Sequence, residues 1–549
     1  MIRVEVDVAP GLPGFSIVGL ADAALQEARE RCRGAIRNSG FDFPPRRITV
    51  NLAPADLPKS GSGLDLGIAL AILLGSEQVR AAGRWALVGE LSLGGEVRRV
   101  PGLLPMVAAL GRRGIRRVIV PAEGLEEARL VTDVEAIPAA SIAEAIEAMR
   151  APRSRPRRTI DPPARVELAS PPMVGSADPG PRVPGHADPR REVPGREDPG
   201  RSDPGREHAA QDGPAVAPSG AAALTDGLAW PDLADVRGQA EARRALEIAL
   251  AGGHGLLMIG PPGSGKTLLA RTIPGLLPPL GDDEALEATI VDSVASDLAV
   301  AGLVRRRPFR APHHTISYAG MVGGGPRLSP GEATRADHGV LFLDELPEFD
   351  RDVLEALRQP LEEGRVAISR AGRATVFPAR FQLVAAMNPC PCGQAGVEGR
   401  VCRCRTGVAA RYAARVSGPL RDRIDLWVML PPVPPASLVQ DDEPEDSATV
   451  AGRIVAARCL ALERNRGRLN GRLSGRTLLA VAQLSTDARA RLVALAELEE
   501  LSGRGTERLL RVARTIADLD ASGSVDEHHL AEAARFRSPA RRLADRLAV

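Results

Sequence analysis

The 549-residue sequence has almost no lysine. Lys59 and Lys266 are the only lysines among 71 basic residues, and arginine supplies all the others. A drift of the whole composition toward arginine accounts for this bias. The two positions that keep lysine are therefore ones where an ammonium group is expected to be needed. A phosphate-binding loop needs one, because a planar guanidinium does not fit there.

Aromatic residues and long apolar runs are also scarce. Aromatics make up 3% of the chain, so its cores must be built from Ala, Leu, Val and Ile. The longest apolar run, near 68–74, is far shorter than the ~18–20 residues of a membrane span. The first residues lack the charged-then-apolar pattern of a secretion signal. These absences predict a cytoplasmic protein without a membrane partner.

Cysteine and net charge are low as well. Four of the six cysteines lie between Cys390 and Cys404, which favours a local site over a disulfide framework. The formal net charge is only +2, so the chain as a whole carries no electrostatic signal for nucleic-acid binding.

Two folded regions and a linker are expected before the C-terminal part. Residues 1–150 alternate strand-like with helix-like stretches: strands at 46–52 and 116–120, helices at 21–37, 66–74 and 141–149. Residues 151–222 are rich in Pro, Gly, Asp and Arg in a degenerate short repeat. Almost nothing apolar is available there to bury, which predicts a disordered, extended linker.

The second folded region is predicted at 223–435. Apolar strands at 256–259, 340–343 and 381–386 alternate with helices, which predicts an α/β fold with a parallel sheet. Residues 436–549 begin with an acidic, exposed connection and continue with Ala/Leu/Arg periodicity, so this part is predicted to be helical.

The segment GPPGSGKT at 260–267 follows a strand and opens a helix, which is the context of a P-loop. Any glycine-rich loop can match this pattern by chance, but the flanking elements favour a nucleotide site. Backbone N–H groups and the positive helix end would hold the phosphates. The expected nucleotide-binding residues are Gly260, Pro261, Pro262, Gly263, Ser264, Gly265, Lys266, Thr267 and Leu268. Lys266 would neutralise the β- and γ-phosphates, and Thr267 would ligate Mg²⁺.

Two carboxylates emerge at the end of the 340–343 strand. Asp344 is expected to hold Mg²⁺ through a water molecule and Glu345 to polarise the attacking water, since phosphoryl transfer needs a metal on the phosphates and an oriented nucleophile. An acidic pair at the end of a strand is usually only exposed to solvent. Here the P-loop earlier in the sequence favours a catalytic role for the pair. Asn388 ends the next strand and could position the water, although Asn-Pro is also an ordinary turn signal.

These blocks, in this order, resemble the AAA+ superfamily. More specifically, RPFRAPHHTIS (307–317), LSPGEATRADHGVLFLDEL (328–346) and FQLVAAMNPCPCG (381–393) resemble the magnesium-chelatase-like AAA+ ATPases of the ComM/YifB family. The N-terminal block GLPGFSIVGLADAALQEARERCRGAIRNSGF (11–41) and the C-terminal SGRGTERLLRVARTIADL (502–519) match that family too. The resemblance covers nearly the whole chain outside the linker. Family members usually begin with another strand, so the chain is expected either to lack that strand or to have a misplaced start.

The resemblance implies an AAA+ core with a helical lid and a ring, most often a hexamer. It also implies a hairpin inserted at about 305–330 and a second, pre-sensor hairpin at about 366–376, both facing a central pore. Arg423 matches the arginine finger that reaches the neighbour's γ-phosphate. Arg504 is the best match to the sensor-2 arginine, with Arg508 and Arg511 as close alternatives. Each could instead be an ordinary surface arginine of a helix.

The N-terminal region resembles the proteolytic domain of Lon-type proteases, which use a Ser–Lys dyad. Alignment places Gly63 at the nucleophile position and Leu104 at the lysine position. Ser62 lies nearby, but the aligned segment offers it no base. The region is therefore expected to be a catalytically inactive scaffold or adaptor.

Cys390, Cys392, Cys402 and Cys404 form a CxC…CxC pattern across a short loop. Four thiolates within reach of one point suit tetrahedral Zn²⁺, although CxC is not the usual CxxC knuckle. The alternative is a set of reduced, partly buried thiols.

The residues leave open which substrate the expected ATPase moves. Arg365, Arg370 and Arg373 on the pre-sensor hairpin suit sequence-independent contacts to DNA phosphates. His313, His314 and Tyr318 are candidates to stack on bases, or to have buried structural roles. The resemblance implies a helicase or branch-migration role in transformation and recombination. The alternatives are a chaperone-like ATPase that remodels a protein, as in magnesium chelatase, and an ATP-dependent protease, which the missing dyad disfavours.

Overall fold

The computed structural model describes residues 1–20, 23–56, 59, 61–150, 230–296, 300–325, 328–370, 373–397, 399–434 and 444–537. The predicted linker at 151–222 therefore lies outside the described residues, as do most of the acidic connection and the end of the chain after residue 537.

The N-terminal region combines small sheets with five helices. β3 pairs antiparallel with β1 and parallel with β2; β7 lies between β4 and β8 in a parallel sheet; and β5 and β6 form an antiparallel pair. The predicted strands and helices of this region are confirmed to within about two residues. Their bounds are β1 Arg3–Ala9, β2 Gly14–Val18, α1 Ala23–Asn38, β3 Arg47–Ala53, α2 Asp65–Gly75, β4 Ala86–Leu87, β5 Glu90–Leu91, β6 Val97–Arg98, α3 Leu103–Arg112, β7 Arg117–Pro121, α4 Leu125–Arg129, β8 Glu135–Ala139 and α5 Ile142–Arg150.

The central region is built on a five-stranded parallel sheet in the order β10-β13-β16-β9-β17. The three predicted strands are confirmed as β9, β13 and β16, while β10 and β17 were not predicted. The bounds are α6 Ala240–Gly252, β9 Leu256–Ile259, α7 Lys266–Arg271, α8 Ile273–Leu276, α9 Asp282–Ser296, β10 Phe309–Arg310, α10 Tyr318–Val322, β11 Gly323–Gly324, β12 Ser329–Pro330, α11 Glu332–Arg335, β13 Val340–Leu343, α12 Arg351–Ala356, α13 Arg358–Glu363, β14 Arg365–Arg370, β15 Arg373–Pro378, β16 Gln382–Met387, α14 Val408–Ala413, α15 Gly418–Arg421 and β17 Leu426–Met429.

Both faces of this sheet are buried, which explains why its strands are continuous apolar runs. Leu256 and Met258 of β9 belong to one apolar cluster, and Leu257 and Ile259 belong to the cluster on the other face, as the two-residue period of a strand requires. The first cluster continues into the C-terminal helices, so these helices cover one face of the sheet.

The C-terminal part is helical, as predicted, with α16 Ser447–Arg464, α17 Gly475–Ala482, α18 Thr486–Leu498, α19 Gly503–Leu519 and α20 Glu527–Arg535. In the described part of the chain no helix combines the length and apolar character needed to cross a bilayer.

Both predicted hairpins are present. β14 pairs antiparallel with β15 immediately before β16, at the predicted pre-sensor position; residues 371–372 at its tip lie outside the described residues. Within the predicted insert, β11 pairs with β12, but the interval 305–330 also contains β10, the edge strand of the main sheet. The inserted hairpin is therefore shorter than predicted and starts after β10.

A charged network anchors α9 to the start of β13. His338 lies close to the carboxylates of Glu284 and Glu287, and Arg307 donates to Glu284 over 2.8 Å. Asp337, just before the strand, accepts from Arg380, just before β16. The hydrogen bond from His338 and the charge of Arg307 lower the pKa of Glu284 to about 2.

We expect Glu284→Gln to lower the free energy of unfolding by about 1 kcal/mol at pH 7, a figure reduced because the side chain is partly exposed. Since the native pKa of Glu284 is depressed, its contribution is fully present above pH about 5 and is lost as the pH falls toward 2. Urea unfolding of the variant and the wild type between pH 7 and pH 3 tests this. Asp283→Asn, an exposed carboxylate of the same helix, is the control. An equal difference at every pH would contradict the prediction.

Candidate nucleotide site

The loop between β9 and α7 has the geometry of a phosphate-binding loop. Gly263 and Gly265 have φ values of +78° and +90°, in the left-handed region that glycine adopts without strain. A Cβ at Gly260 would lie 2.4 Å from the Leu430 carbonyl oxygen, so a side chain there would push the loop away from β17. The loop leads directly into α7, which begins at Lys266.

Lys266 is almost fully buried within this loop, at 8% exposure. Its ammonium donates to the carbonyl oxygens of Gly260 and Pro261 over 2.8 and 2.9 Å, and to Asn388 Oδ1 over 3.2 Å. Burial lowers the pKa of Lys266, and the negative charges of Asp344 and Glu345 oppose that shift. Two residues predicted from separate segments, Lys266 and Asn388, are thus in direct contact.

Thr267 and Asp344 form the second contact of the site. The Thr267 hydroxyl donates to Asp344 Oδ2 over 2.6 Å. Mg²⁺ usually keeps several waters when it binds a protein, so Thr267 would ligate the ion while Asp344 holds it through a water. The donor set of one hydroxyl and one carboxylate therefore fits Mg²⁺. Leu268, the last predicted nucleotide-binding residue, is on α7 and is 39% exposed.

Glu345 is held in a strained position beside Asp344. Its φ is +53°, a region that non-glycine residues adopt rarely and at active sites more than elsewhere. Its backbone N–H donates to Asp344 Oδ1, and His314 Nδ1 lies 3.3 Å from its carboxylate. His314, considered as a base-stacking residue, thus lies against the predicted catalytic carboxylate. Tyr318 is 57% exposed, and His313 stacks on His314.

Arg423 and Arg504 do not join this group. The Arg423 carbonyl and Ile424 pack against Gly255, which precedes β9, whereas the P-loop follows β9. Since β17 runs parallel to β9, Arg423 lies at the amino edge of the sheet and the P-loop at the carboxyl edge, at least roughly 10 Å away. Arg423 makes an ion pair with Glu362, and its Nε has no partner among the described residues.

A cluster of arginines surrounds Arg423. Burial lowers the pKa of Arg423, and the nearby charges of Arg504, Arg358, Arg508 and Arg511 lower it further. Arg504, Arg508 and Arg511 share one face of α19, and Arg508 donates to Asp422 over 3.1 Å. Of the three sensor-2 candidates, Arg504 is exposed while Arg508 is buried. A pocket lined by Arg421, Arg508 and Arg537 opens beside them. Asp422 also lines the pocket, and the excess of arginine over carboxylate charge there suits an anion such as phosphate.

The four clustered cysteines converge. The Sγ atoms of Cys390, Cys392 and Cys402 lie 3.4–3.7 Å apart, and Cys404 completes a set within 4.8 Å of one another. All four are free thiols. The donor set of four sulfurs fits a soft, tetrahedral ion.

Comparison with known proteins gives three adjoining family matches. Residues 4–124 match the model "Subunit ChlI of Mg-chelatase", residues 232–438 match "Magnesium chelatase, subunit ChlI", and residues 444–537 match "Magnesium chelatase, subunit ChlI C-terminal".

Full-length relatives agree with these matches. The uncharacterized protein YifB of Salmonella typhimurium is 40% identical over 98% of this chain and 94% of its own length. The competence protein ComM of Haemophilus influenzae is 39% identical over 99% of this chain and 96% of its own. The chain belongs to the ComM/YifB family of magnesium-chelatase-like proteins. It is therefore an AAA+-type α/β protein, and membership implies the use of ATP and Mg²⁺.

In the N-terminal region of this ComM/YifB-family chain, the described residues at and near the predicted dyad positions make other contacts. A Lon protease of Leptospira interrogans is 26% identical over 135 residues, 24% of this chain. Leu104, at the position aligned with the lysine, is fully buried in an apolar cluster. The Ser62 hydroxyl donates to Glu90, and the ammonium of Lys59 donates to the Pro54 carbonyl.

Several residues of the site were not predicted from the sequence. The sequence predicts a different role for His314 and no role in the site for the side chains of Glu362, Asp422 and Arg537. Arg537 has two guanidinium nitrogens without a partner among the described residues, and burial lowers its pKa to about 10. Its distance along the chain from Arg421 left no local pattern that could have predicted their proximity.

We expect Lys266→Ala to abolish measurable nucleotide binding, because no other ammonium lies near the loop and the phosphate charge would be left uncompensated. Titration with a fluorescent ADP analogue measures this. Arg271→Ala, which removes an exposed cation at the end of the same helix, is the control and should bind as the wild type does. Unchanged affinity in Lys266→Ala would show that the loop is not the phosphate site.

Proposed function

We propose that this protein is a ring-forming ATPase that couples ATP hydrolysis to movement on DNA, as a helicase or branch-migration motor in transformation and recombination. The observation that carries the proposal is the hairpin β14–β15. Arg365, Arg370 and Arg373 belong to the two strands of this hairpin, which is followed after three residues by β16 and then by Asn388. A basic hairpin in a pore would contact phosphates without reading sequence. The name of the competence protein ComM supports a role in DNA uptake.

Each site residue would have a separate role in ATP hydrolysis. Lys266 would compensate charge on the β- and γ-phosphates, and Mg²⁺ on Thr267 and Asp344 would supply further positive charge there. Glu345, restrained next to His314, would orient the attacking water and accept its proton. Asn388, already in contact with Lys266, would hold that water in line. Each of these side chains acts from the carboxyl edge of the sheet.

Arg423 would complete the site of a neighbouring subunit. It lies at the sheet edge opposite its own P-loop, and its buried Nε has no partner within the described ranges, so it suits an anion brought by another chain. Arg504, or else Arg508 or Arg511, would act from the same side as sensor 2. This arrangement requires a head-to-tail ring, for which we propose a hexamer.

We propose four parts for the chain. Residues 1–150 are a Lon-like domain without protease activity, and residues 151–222 are a linker. Residues 223–435 are the ATPase core, and residues 436–549 are the helical lid. The burial of Leu104 supports the loss of protease activity, because a lysine at that position is what the dyad would need.

We also propose that Cys390, Cys392, Cys402 and Cys404 hold a structural Zn²⁺. A tetrahedral ion with Zn–S bonds of 2.3 Å places its sulfurs about 3.8 Å apart. Three sulfurs here are 3.4–3.7 Å apart. An iron–sulfur cluster would hold them farther apart, because its core lies between them. The exposed Arg400, Arg403 and Arg405 would offset the net negative charge of a four-thiolate site.

We expect Arg423→Ala to bind nucleotide normally and to lose hydrolysis when it is the only subunit present. When it is mixed equally with the inactive Lys266→Ala protein, activity should reappear. Random assembly places an intact P-loop against an intact finger at about a quarter of the interfaces. Steady-state ATPase assays of each variant and of the mixture measure this. A finger that acts within its own chain would give no recovery on mixing.

We expect DNA to stimulate ATP hydrolysis several-fold, with the stimulation falling steeply as salt rises. The double variant Arg370→Ala/Arg373→Ala should keep basal hydrolysis, bind single-stranded DNA less tightly, and reduce the slope of log K against log salt by about 1.4. Arg489→Ala, an exposed arginine of α18, is the control, and Glu345→Gln reports background hydrolysis.

If neither single-stranded nor branched DNA stimulates basal ATP hydrolysis, the proposal of a DNA motor is overturned. It would favour the alternative of an ATPase that remodels a protein partner. That alternative draws on 28% identity over 198 residues to the magnesium-chelatase 67 kDa subunit of Heliobacterium mobile.

A further inference from the structure

The loop that carries the four cysteines also packs against the phosphate loop. It runs from Asn388 to Gly407, between β16 and α14, and its described part contains no helix or strand. A loop of this length inside a compact region needs something to order it, because fixing each residue costs about 1–2 kcal/mol of conformational entropy. Bonds from one ion to four of its side chains would provide that order.

The loop touches the phosphate loop at two places. At its start, Asn388 accepts from the Lys266 ammonium over 3.2 Å. Five residues later, Gly393 packs against Pro262: a Cβ added at Gly393 would lie 2.3 Å from Pro262 Cδ and 3.0 Å from Cγ. Gly393 directly follows Cys392, and its φ of +75° turns the backbone at this contact. The position of Cys392 therefore sets how closely the loop supports Pro262.

The part of the loop that carries the cysteines is anchored in the protein interior. Cys390 is fully buried, and its sulfur accepts the Ala395 N–H over 3.3 Å. Ala395 is also buried. The four sulfurs, the Gly393 contact and the Asn388 contact thus lie on one short path of backbone.

We infer that the four-cysteine zinc site is a clamp on the nucleotide site: its metal holds the loop 388–407 against Pro262 and Lys266, and loss of the metal weakens nucleotide binding. The inference rests on the proposed role of Gly260–Thr267 as the ATP site. It assigns the cysteines a task in regulating nucleotide affinity, beyond stabilising their own loop.

Removal of a ligand tests the clamp. We expect the wild type to contain about one zinc per chain by elemental analysis, and Cys402→Ser to lose it. The Kd of Cys402→Ser for a fluorescent ADP analogue should rise about tenfold or more. Cys459→Ser, an exposed cysteine of α16, should keep both the zinc and the affinity. Zinc loss with unchanged Kd would overturn the clamp, and iron or no metal in the wild type would overturn the site.

A second variant separates the clamp from damage to the loop. Gly393→Ala keeps all four cysteines but places a methyl group against Pro262, so it should retain zinc and still weaken ADP binding. Gly399→Ala is the matched control, because Gly399 has a similar φ of +71° and nothing within 4 Å of its added Cβ. Equal affinities for these two variants would overturn the inference. Failure of the wild type itself to bind ADP would instead refute the proposed nucleotide site.

Discussion

The position of β16 between β13 and β9 is the constraint on which the site depends. Parallel strands end at the same edge, so Asp344, Asn388 and the P-loop are delivered to one place by three separate strands. The Lys266 ammonium joins two of these strands through Gly260, Pro261 and Asn388. Burial favours its neutral form, and the nearby carboxylates favour the charged form. An incoming phosphate would add to the second effect.

The amino edge of the same sheet carries positive charge that side chains of the same chain only partly neutralise. In the described part of the chain, Arg423 pairs with Glu362, its Nε has no partner, and the charges of Arg504, Arg358, Arg508 and Arg511 lower its pKa. Like charges held this closely disfavour one another unless an anion approaches. The buried pair of His254 and Asp425 fixes this segment to Thr515 of α19, so Arg423 and the helix that carries Arg504, Arg508 and Arg511 are positioned together. In the proposed ring, that edge would meet the nucleotide of the next subunit.

β16 also links the elements that the proposed function needs to communicate. The basic hairpin β14–β15 precedes it, and Asn388 with the cysteine loop follows it. The strand itself is almost entirely buried and closely packed. A displacement at one end would therefore be transmitted to the other end. The same strand would therefore connect a DNA contact, the water-positioning side chain and the metal-bearing loop.

Local patterns sufficed to predict strands β9, β13 and β16, helices α1, α2 and α5 of the N-terminal region, the helical character of the C-terminal part, and the positions of the glycine-rich turn before α7 and of the two carboxylates after β13. Each of these depends on residues adjacent in the chain: glycines before Lys266, an apolar run before Asp344, a repeated apolar face on a helix. The two edge strands escaped prediction. β10 has two residues, and β17 follows a short helical turn without a distinct alternation.

Only the tertiary structure decided which side chains meet across the chain. Sequence spacing cannot show that Arg423 faces away from its own P-loop, because that follows from the direction of β17 beside β9. Nor can it show that His314 lies against Glu345, that Arg537 joins Arg421 and Arg508, or that Gly393 packs on Pro262. The sequence by itself determined the chemistry available to this protein, since residue types and local spacing select the ligands. The packing of distant segments decided where that chemistry is combined, because contact energies between them depend on the whole fold.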